Sequence, residues 1–434
     1  MKKNIESYIA ILLGIIVCNN VIYAFKINNT YINIAFIASI IIFLYLIIFR
    51  QKKLFESIRN INIYFKIFII ICFLSIVSMI IFCDNKSFYT SYITGIVYLI
   101  VTLTIYINVY FLKSEKEYIY KGLLYGFLLN VILSLIQYIT YLVGNCFSLF
   151  EFFPQDAFQV CNINLKNAMT MYIASYRAQG FFLETSYYMI FLASTIMLYR
   201  ARTKNNFRNL LVILIALFCM INSTTATMVL VFMAMILYFI INKIKVPKEK
   251  KKKIVTGYKI LGICSCFLAL LIMLLVSDKF TQYFNVEEMW NKISTSMLTA
   301  DINNEDNEER SQAMDKGIKL ALKYPFGGGY NLMTKLMMEE YNGEMRVYTT
   351  FNYFITLCIE IGIVGALIFT VYIISLTIKL TIKNKDKKKI AIGISALVTF
   401  IGQVACGTNF ILLPFIILIY ALADLESREK NEKS

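Results

Sequence analysis

The sequence predicts an all-α, polytopic membrane protein with about 12 transmembrane helices. Its residues are 59% hydrophobic and only 16% charged. Apolar runs of about 20 residues, the length that crosses a bilayer as a helix, recur from one end of the chain to the other. Most side chains would then face lipid or neighbouring helices, so we expect one membrane domain over residues 1–434 rather than the two or three soluble domains that the length suggests.

The hydrophobic pattern places each span in turn. The predicted spans are 7–25, 30–49, 64–83, 90–112, 120–143, 180–199, 208–222, 225–241, 256–276, 350–378, 390–407 and 409–423. The runs 207–241 and 390–424 are too long for one helix, so each is divided in two. The first run has no small-x-small cleavage site and is followed by further spans, so we expect a retained anchor rather than a signal peptide.

The formal net charge of +16 is distributed unevenly along the chain. With the N-terminus inside, the inward segments hold about 30 of the 43 Lys and Arg residues, including the runs at 242–253 and 382–389. The preference of basic residues for the cytoplasmic side explains this charge, which therefore does not indicate a nucleic-acid partner. An even number of spans puts both termini in the cytoplasm.

Two connections are long, and both are predicted on the outer side. They are 144–179 and 277–349, and long loops in a compact framework are usually functional or disordered. Cys146 and Cys161 share the first loop, where a disulfide is one alternative. The chain has no histidine, which excludes His-ligated zinc and Ser-His-Asp triads, and its cysteines show no metal-ligand spacing, so no metal or cofactor is expected.

The second loop contains a predicted helix over 309–324 with two chemically different sides. Lys316, Lys319 and Lys323 fall within a narrow arc, and the opposite side carries Met314, Ile318, Ala321 and Leu322. A basic amphipathic helix of this kind suits the headgroup level of a membrane, with its lysines toward lipid phosphates. A helix in solvent is the alternative.

A glycine turn follows that helix. Pro325 stops the helix, and Gly327, Gly328 and Gly329 can adopt the positive-φ conformations in which successive N–H groups bind an anion. The alternative is a turn with no ligand.

Two carboxylates lie in apolar runs, each with an arginine near the outer boundary. Glu184 follows Arg177 by seven residues, and Glu360 lies ten residues into the tenth span, whose outer edge carries Arg346. A charged residue inside a span costs about 2.5–3.5 kcal/mol by insertion scales and usually faces a cavity or a partner. The alternatives are a local Arg–Glu pair, a Glu buried for packing and an interfacial arginine anchor.

Three motifs resemble those of one family. The pattern R-x-x-G-x-F-x-E-x-S at 177–186 resembles the sixth-span motif of Wzy-type O-antigen and capsule repeat-unit polymerases and of O-antigen ligases. Arg310 followed by P-x-G-x-G at 325–329 resembles a second motif, and Phe351-Asn352 followed by E-x-G-x-x-G at 360–365 resembles a third. The chain has Thr185 where the family usually carries Pro, and Phe351 where ligases carry a His thought to take part in catalysis.

The resemblance implies a GT-C-like membrane fold with a large extracytoplasmic loop between helices 9 and 10. It also implies a metal-independent glycosyltransferase that joins undecaprenyl-diphosphate-linked repeat units in the bacterial cytoplasmic membrane, working with a flippase and a chain-length regulator. The missing histidine favours polymerase over ligase. An O-antigen ligase-type transfer, a lipid-linked oligosaccharide flippase and a scaffold remain alternatives.

The motifs also assign roles to residues. The candidate catalytic residues are Arg177, Glu184, Arg310 and Glu360. The candidate substrate-binding residues are Arg346, Lys316, Lys319, Lys323, Gly327, Gly328, Gly329 and Asn352. Guanidinium groups match phosphate oxygens, and one of the two carboxylates would accept a proton from the acceptor sugar; the sequence does not choose between them.

Overall fold

The structure is a computed structural model that describes most of the helical framework. The described residues are 5–19, 23–27, 30–82, 89–143, 159–160, 163–164, 179–182, 185–204, 206–221, 235–236, 238, 240–241, 305–341, 344–347, 352–406 and 412–429. The predicted span at 256–276 lies outside them, as do Cys146 and Cys161.

The described chain is dominated by helices. They are α1 (Ile5–Ile16), α2 (Ile34–Asn60), α3 (Ile63–Phe82), α4 (Tyr89–Phe111), α5 (Lys116–Leu142), α6 (Thr185–Arg202), α7 (Phe207–Ile221), α8 (Glu305–Lys323), α9 (Met333–Leu336), α10 (Tyr353–Thr381), α11 (Lys387–Cys406) and α12 (Leu413–Arg428). A 3₁₀ turn, Lys113–Glu115, precedes α5. Helices α1–α7 and α10–α12 each overlap one predicted span.

The described residues also form three short antiparallel hairpins. They pair β1 (Tyr23–Ile27) with β2 (Thr30–Asn33), β3 (Gln159–Val160) with β4 (Ile163–Asn164), and β5 (Met338–Tyr341) with β6 (Glu344–Val347). The first hairpin corrects a prediction, because residues 7–25 do not form one helix. Helix α1 ends at Ile16, and the Asn19 side-chain amide donates to the Ile16 carbonyl oxygen at 2.7 Å, satisfying one of the carbonyls left open at the helix end.

Five of the described helices are long and apolar enough to cross a membrane, or six if a bent pair counts as one span. The five segments are Ile34–Gln51, Ile93–Phe111, Lys113–Thr140, Tyr353–Thr381 and Lys387–Ala405. The bent pair joins Leu54–Asn60 to Ile63–Val77 at 96°. The chain is therefore a polytopic helical membrane protein, and the total of twelve spans stays a prediction.

Helix α10 lies at the centre of the described bundle. It contacts α3, α8, α11 and α12, and α11 in turn contacts α6. Aromatic rings fill the space between these helices: Phe65 stacks on Tyr106 at 3.8 Å between ring centroids, and Phe369 lies 4.6 Å from Phe68. Contacts that hold α10 in place therefore also position the helices packed around it.

Buried charges connect the helices at one end of the bundle. Asp424 in α12 is fully buried and accepts hydrogen bonds from the hydroxyls of Tyr106 (2.6 Å) and Tyr110 (2.8 Å) and from the Asn62 backbone N–H (3.2 Å). The Arg202 guanidinium lies over the Tyr120 ring at 3.1 Å.

Arg202 also forms ion pairs between helices. It pairs with Glu117 at 2.8 Å and with Glu426 at 3.3 Å. Together these groups tie α4, α5, α6 and α12 to one another and to the turn between α2 and α3.

Candidate functional site

The glycine turn is hydrogen-bonded to the backbone of α10. The N–H of Gly328 donates to the Ile359 carbonyl oxygen at 2.6 Å, and the N–H of Gly329 donates to the Glu360 carbonyl oxygen at 3.0 Å. Helix α10 is interrupted at Gly362, whose φ of 79° and ψ of 163° are not helical. An α-helical carbonyl bonds the N–H four residues on, so the interruption frees these two carbonyls and the turn satisfies them. We call this contact of 325–329 with 359–362 the turn–kink joint.

The two backbones of the joint approach each other too closely for side chains. A Cβ atom on Gly327 would lie 2.6 Å from the Glu360 carbonyl oxygen, and one on Gly362 would lie 2.5 Å from the Pro325 carbonyl oxygen. Both glycines also have positive φ, 98° at Gly327 and 79° at Gly362. Both positions therefore require glycine, because a side chain would not fit and because a positive φ disfavours other residues.

The Glu360 side chain lies beneath the chain that follows the turn. It is 1% exposed, and its Oε1 accepts the Met333 N–H at 3.5 Å, with the Asn331 N–H also directed at the carboxyl group. Its Oε2 is buried without a hydrogen-bond partner among the described residues. The carboxyl group thus holds the segment 331–333 against α10.

Residues that the motifs did not identify complete the joint. The Tyr330 N–H donates to the Ser75 hydroxyl of α3 at 3.1 Å, and a Cβ on Gly95 of α4 would lie 2.8 Å from the Tyr330 carbonyl oxygen. Burial raises the pKa of the Tyr330 phenol well above its ordinary value. Ser75 and Gly95 lie in ordinary apolar spans, where no sequence pattern distinguishes them.

Helix α8 packs on α10, and small residues form its buried side. Ala313, Gly317 and Ala321 are buried, whereas Ile318 and Leu322, which the sequence placed on one apolar side with Ala321, are exposed. Small residues allow the close helix approach that bulky ones would prevent. Lys319 and Lys323 are exposed, and the Lys316 ammonium donates to the Met337 carbonyl oxygen at 3.1 Å.

The first motif is held by α5. The Asn130 side-chain oxygen accepts the Phe181 N–H at 2.8 Å, and the Gln137 side-chain oxygen accepts the Gly180 N–H at 3.1 Å. Gly180 has a φ of 55°, and Phe182 is fully buried. The motif glycine and phenylalanine therefore position the segment that leads into α6.

The structure places the remaining predicted residues to different extents. Arg177, Glu184 and Phe351 lie outside the described residues. Arg310 lies in the second turn of α8, and Arg346 lies in β6, where it pairs in register with Glu339 of β5.

Asn352 and the glycines have roles in the backbone. The Asn352 side chain caps α10 by accepting the N–H groups of Phe354 and Ile355. The N–H groups of Gly327, Gly328 and Gly329 are occupied within the chain, Gly327 by the Tyr324 carbonyl oxygen, so the structure gives this turn a packing role and its anion-binding role stays a prediction.

The second and third motifs therefore meet in space. Residues 325–329 and 360–362 are separated by about 30 positions in sequence, yet they share backbone hydrogen bonds. Helix α8 leads from Arg310 into this joint. The joint fixes the C-terminal end of the helix, and Arg310 lies near its N-terminal end. The arrangement can hold a rigid loop at one end of a membrane bundle.

The fold and this site define a polytopic membrane protein with a loop helix anchored on a broken span. Residues 210–370 match a family model described as O-Antigen ligase, a segment that contains both motifs of the joint. The match supports the O-antigen ligase and polymerase superfamily and a glycosyltransferase-like membrane enzyme, without separating polymerase from ligase. No curated protein matches the chain.

Proposed function

We propose that the protein polymerises oligosaccharide repeat units into O-antigen or capsule at the outer face of the bacterial cytoplasmic membrane. The donor is a growing chain on undecaprenyl diphosphate, and the acceptor is a single repeat unit on the same lipid. The turn–kink joint carries the proposal, because it brings together two of the three motifs, and both lie in the segment that matches the O-antigen ligase family model. Membrane lipid, a flippase and a chain-length regulator are the proposed partners.

The proposed reaction is one glycosyl transfer. A hydroxyl of the acceptor sugar attacks the anomeric carbon of the donor, and the new carbon–oxygen bond forms as the bond to the lipid diphosphate breaks. The hydroxyl proton passes to a carboxylate, and the bonding electron pair leaves with the diphosphate. Negative charge therefore develops on the leaving group, where preorganised cations lower the barrier most effectively.

Three arginines are assigned to the diphosphate. Arg177, Arg310 and Arg346 each belong to one of the motif regions, and a guanidinium group can hold phosphate oxygens through two parallel hydrogen bonds. The exposed ammonium groups of Lys319 and Lys323 would attract the anionic lipid before it reaches the arginines. Removing an arginine should therefore abolish turnover, whereas removing a lysine should only reduce it.

Glu184 is our choice for the proton acceptor. The competing carboxylate, Glu360, is 1% exposed, and one of its oxygens already accepts a backbone N–H. A general base must come within hydrogen-bond distance of the proton that it removes. We therefore assign Glu360 to the support of the turn and Glu184 to the chemistry.

Ligase activity is the second candidate, because the matching family model is described as O-Antigen ligase. Ligases of the family carry a His where this chain has Phe351, and a phenylalanine side chain cannot accept or donate a proton. This difference supports the polymerase. A flippase would need charges that line a passage through both leaflets, and the proposed arginines are all predicted on the outer side.

The deciding experiment is incubation of the purified protein with a synthetic undecaprenyl-diphosphate repeat unit. A polymerase converts it to a ladder of longer lipid-linked chains, and the double variant Arg177→Ala/Arg310→Ala should make none. Arg59→Ala, at an exposed position of α2, is the matched control and should make the normal ladder. Transfer only to an added lipid A core would establish the ligase, and a normal ladder from the double variant would remove the catalytic assignment.

A further inference from the structure

Helix α8 presents three different surfaces around its circumference. With 100° between successive residues, Ala313, Gly317 and Ala321 form one side, which is buried toward the bundle. Ile318 (45% exposed) and Leu322 (68% exposed) form an apolar strip beside it. Phe326, 87% exposed, continues that strip past the end of the helix.

The third surface is polar, and it completes the circumference. Gln312, Lys319 and Lys323 are exposed and lie on the far side of the apolar strip from the buried side, whereas the exposed Asp315 lies in line with Leu322, two turns nearer the start of the helix. A helix that contacts only protein and water needs two surfaces, one apolar and one polar. A third, exposed apolar surface beside a basic one is typical of a helix at a membrane interface.

The depth of Phe326 follows from the turn–kink joint. Helix α10 has 29 residues, which span about 44 Å at 1.5 Å per residue and exceed a hydrocarbon core of about 30 Å. The part from Gly362 to Thr381 alone is about 30 Å long and ends among the basic residues Lys379 and Lys383. Gly362 therefore lies near the opposite boundary of the hydrocarbon core.

The apolar strip meets the surface of α10 that faces lipid. A Cβ on Gly362 would lie 2.9 Å from the Phe326 Cα, so the phenylalanine lies at the level of the kink. Directly beyond the kink, Val364, Leu367 and Val371 are exposed along α10. These side chains belong to a segment apolar enough to cross a membrane, so the strip continues a surface that contacts acyl chains.

We propose that Ile318, Leu322 and Phe326 form a docking surface for the outer leaflet of the membrane, with acyl chains against the strip. Phospholipid phosphates would lie beside Lys319 and Lys323 on the adjoining polar surface. A lipid leaflet supplies acyl chains for the apolar strip. Farther from the bilayer centre it supplies anionic phosphates for the polar surface. The inference does not depend on glycosyl transfer.

The test measures the depth of the strip in a bilayer. Trp290, the one tryptophan of the chain, is replaced by Phe, and a reporter tryptophan is introduced as Phe326→Trp or Leu322→Trp. Gln312→Trp on the polar surface of the same helix is the matched control. The full-length variants are placed in nanodiscs of phosphatidylcholine and phosphatidylglycerol, with either ordinary or brominated acyl chains.

We expect brominated chains to quench both strip reporters and to leave the Gln312→Trp emission nearly unchanged. All three positions are exposed, so tryptophan there should not disturb folding. Quenching of the strip reporters no stronger than that of the control would overturn the inference. Unquenched reporters in particles that hold two copies of the chain would overturn it as well, because the strip would then bind a second copy.

Discussion

Gly327 and Gly362 lie in contact where the loop turn meets the interrupted helix α10. A Cβ on the first would lie 2.6 Å from the Glu360 carbonyl oxygen, and a Cβ on the second would lie 2.5 Å from the Pro325 carbonyl oxygen. Each has a positive φ that disfavours other residues. The glycines of the second and third motifs thus serve one purpose, the close approach of two backbone segments.

Gly362→Ala should destabilise the protein by at least about 2 kcal/mol, since a strained backbone conformation alone costs roughly 1–3 kcal/mol. Thermal unfolding of the purified protein in detergent measures the loss. Gly365→Ala is the control three residues on, because the atoms nearest to its Cβ would be in the side chains of Ile361 and Ile71, at 3.0 and 3.1 Å, and its φ is not positive. Equal losses of stability in the two variants would show that the joint does not require glycine at position 362 more than the helix requires it at position 365.

The two substitutions of Glu360 should differ. Glu360→Gln keeps an oxygen that can accept the Met333 N–H, so stability and chain elongation should be largely retained. Glu360→Ala leaves that N–H without its acceptor and should cost about 1–3 kcal/mol. Elongation and unfolding assays on both variants, with Glu184→Gln beside them, separate the roles. Complete loss of elongation in a stable Glu360→Gln protein would make Glu360 the proton acceptor instead.

Asn130→Ala should release the segment of the first motif. It removes the acceptor of the Phe181 N–H and the donor to the Cys18 carbonyl oxygen, so we expect a loss of about 1–3 kcal/mol together with reduced elongation. Leu129→Ala, at the neighbouring exposed position of α5, should change neither. The assignment of Asn130 would fail if the two variants behaved alike in both measurements.

The arginines and lysines should differ in their effect on the product. Arg177→Ala or Arg310→Ala should abolish long chains while the protein stays in the membrane, because the proposed mechanism assigns these guanidinium groups to the leaving diphosphate. Lys319→Ala and Lys323→Ala should shorten the ladder only in part and make the rate less sensitive to salt, since exposed charges act through a screened attraction. Gel separation of lipid-linked sugars and membrane immunoblots supply the data. Complete inactivation by either lysine variant would contradict this division of roles.

Asp424→Ala should be among the most destabilising single substitutions in the described chain. The carboxylate accepts hydrogen bonds from Tyr106, Tyr110 and Asn62. Without it the Tyr110 hydroxyl and the Asn62 N–H lose their acceptor, and each buried polar group left unpaired costs about 1–3 kcal/mol. Glu56→Ala at an exposed position of α2 is the control for loss of one negative charge. A melting temperature close to that of the control would disprove the structural role of Asp424.

Helix positions could be predicted because the length of an apolar run is fixed by the bilayer. The predicted spans at 64–83, 90–112 and 120–143 agree closely with α3, α4 and α5. The predicted first span continued past the end of α1, because the polar pair Asn19-Asn20 is short and apolar residues follow it; the Asn19 side chain bonds the Ile16 carbonyl oxygen at that end. The interruption at Gly362 was missed for a similar reason, since its freed carbonyls are satisfied by a distant turn.

The motifs located the joint in sequence but not in space. Sequence spacing assigned Pro325 and Gly329 to one motif and Glu360 and Gly362 to another. Contact between the two motifs depends on how the loop folds back onto α10, which spacing does not show. The sequence grouped Ala321 with Ile318 and Leu322 on one apolar side of α8, whereas the structure buries Ala321 beside Ala313 and leaves Ile318 and Leu322 exposed. Asp424 gave no signal, because its partners come from two distant segments, α4 and the turn before α3.

If Gly362 lies at the boundary of the hydrocarbon core, as proposed, the interruption of α10 limits the bilayers in which this protein can work well. The part from Gly362 to Thr381 is about 30 Å long and then matches the apolar thickness. A thicker membrane would draw the peptide groups of the glycine turn into hydrocarbon, whereas a thinner one would leave Val364 in contact with water. Hydrophobic mismatch would strain the joint in either direction. Acyl-chain length should therefore tune the enzyme, with an optimum set by the position of a single glycine.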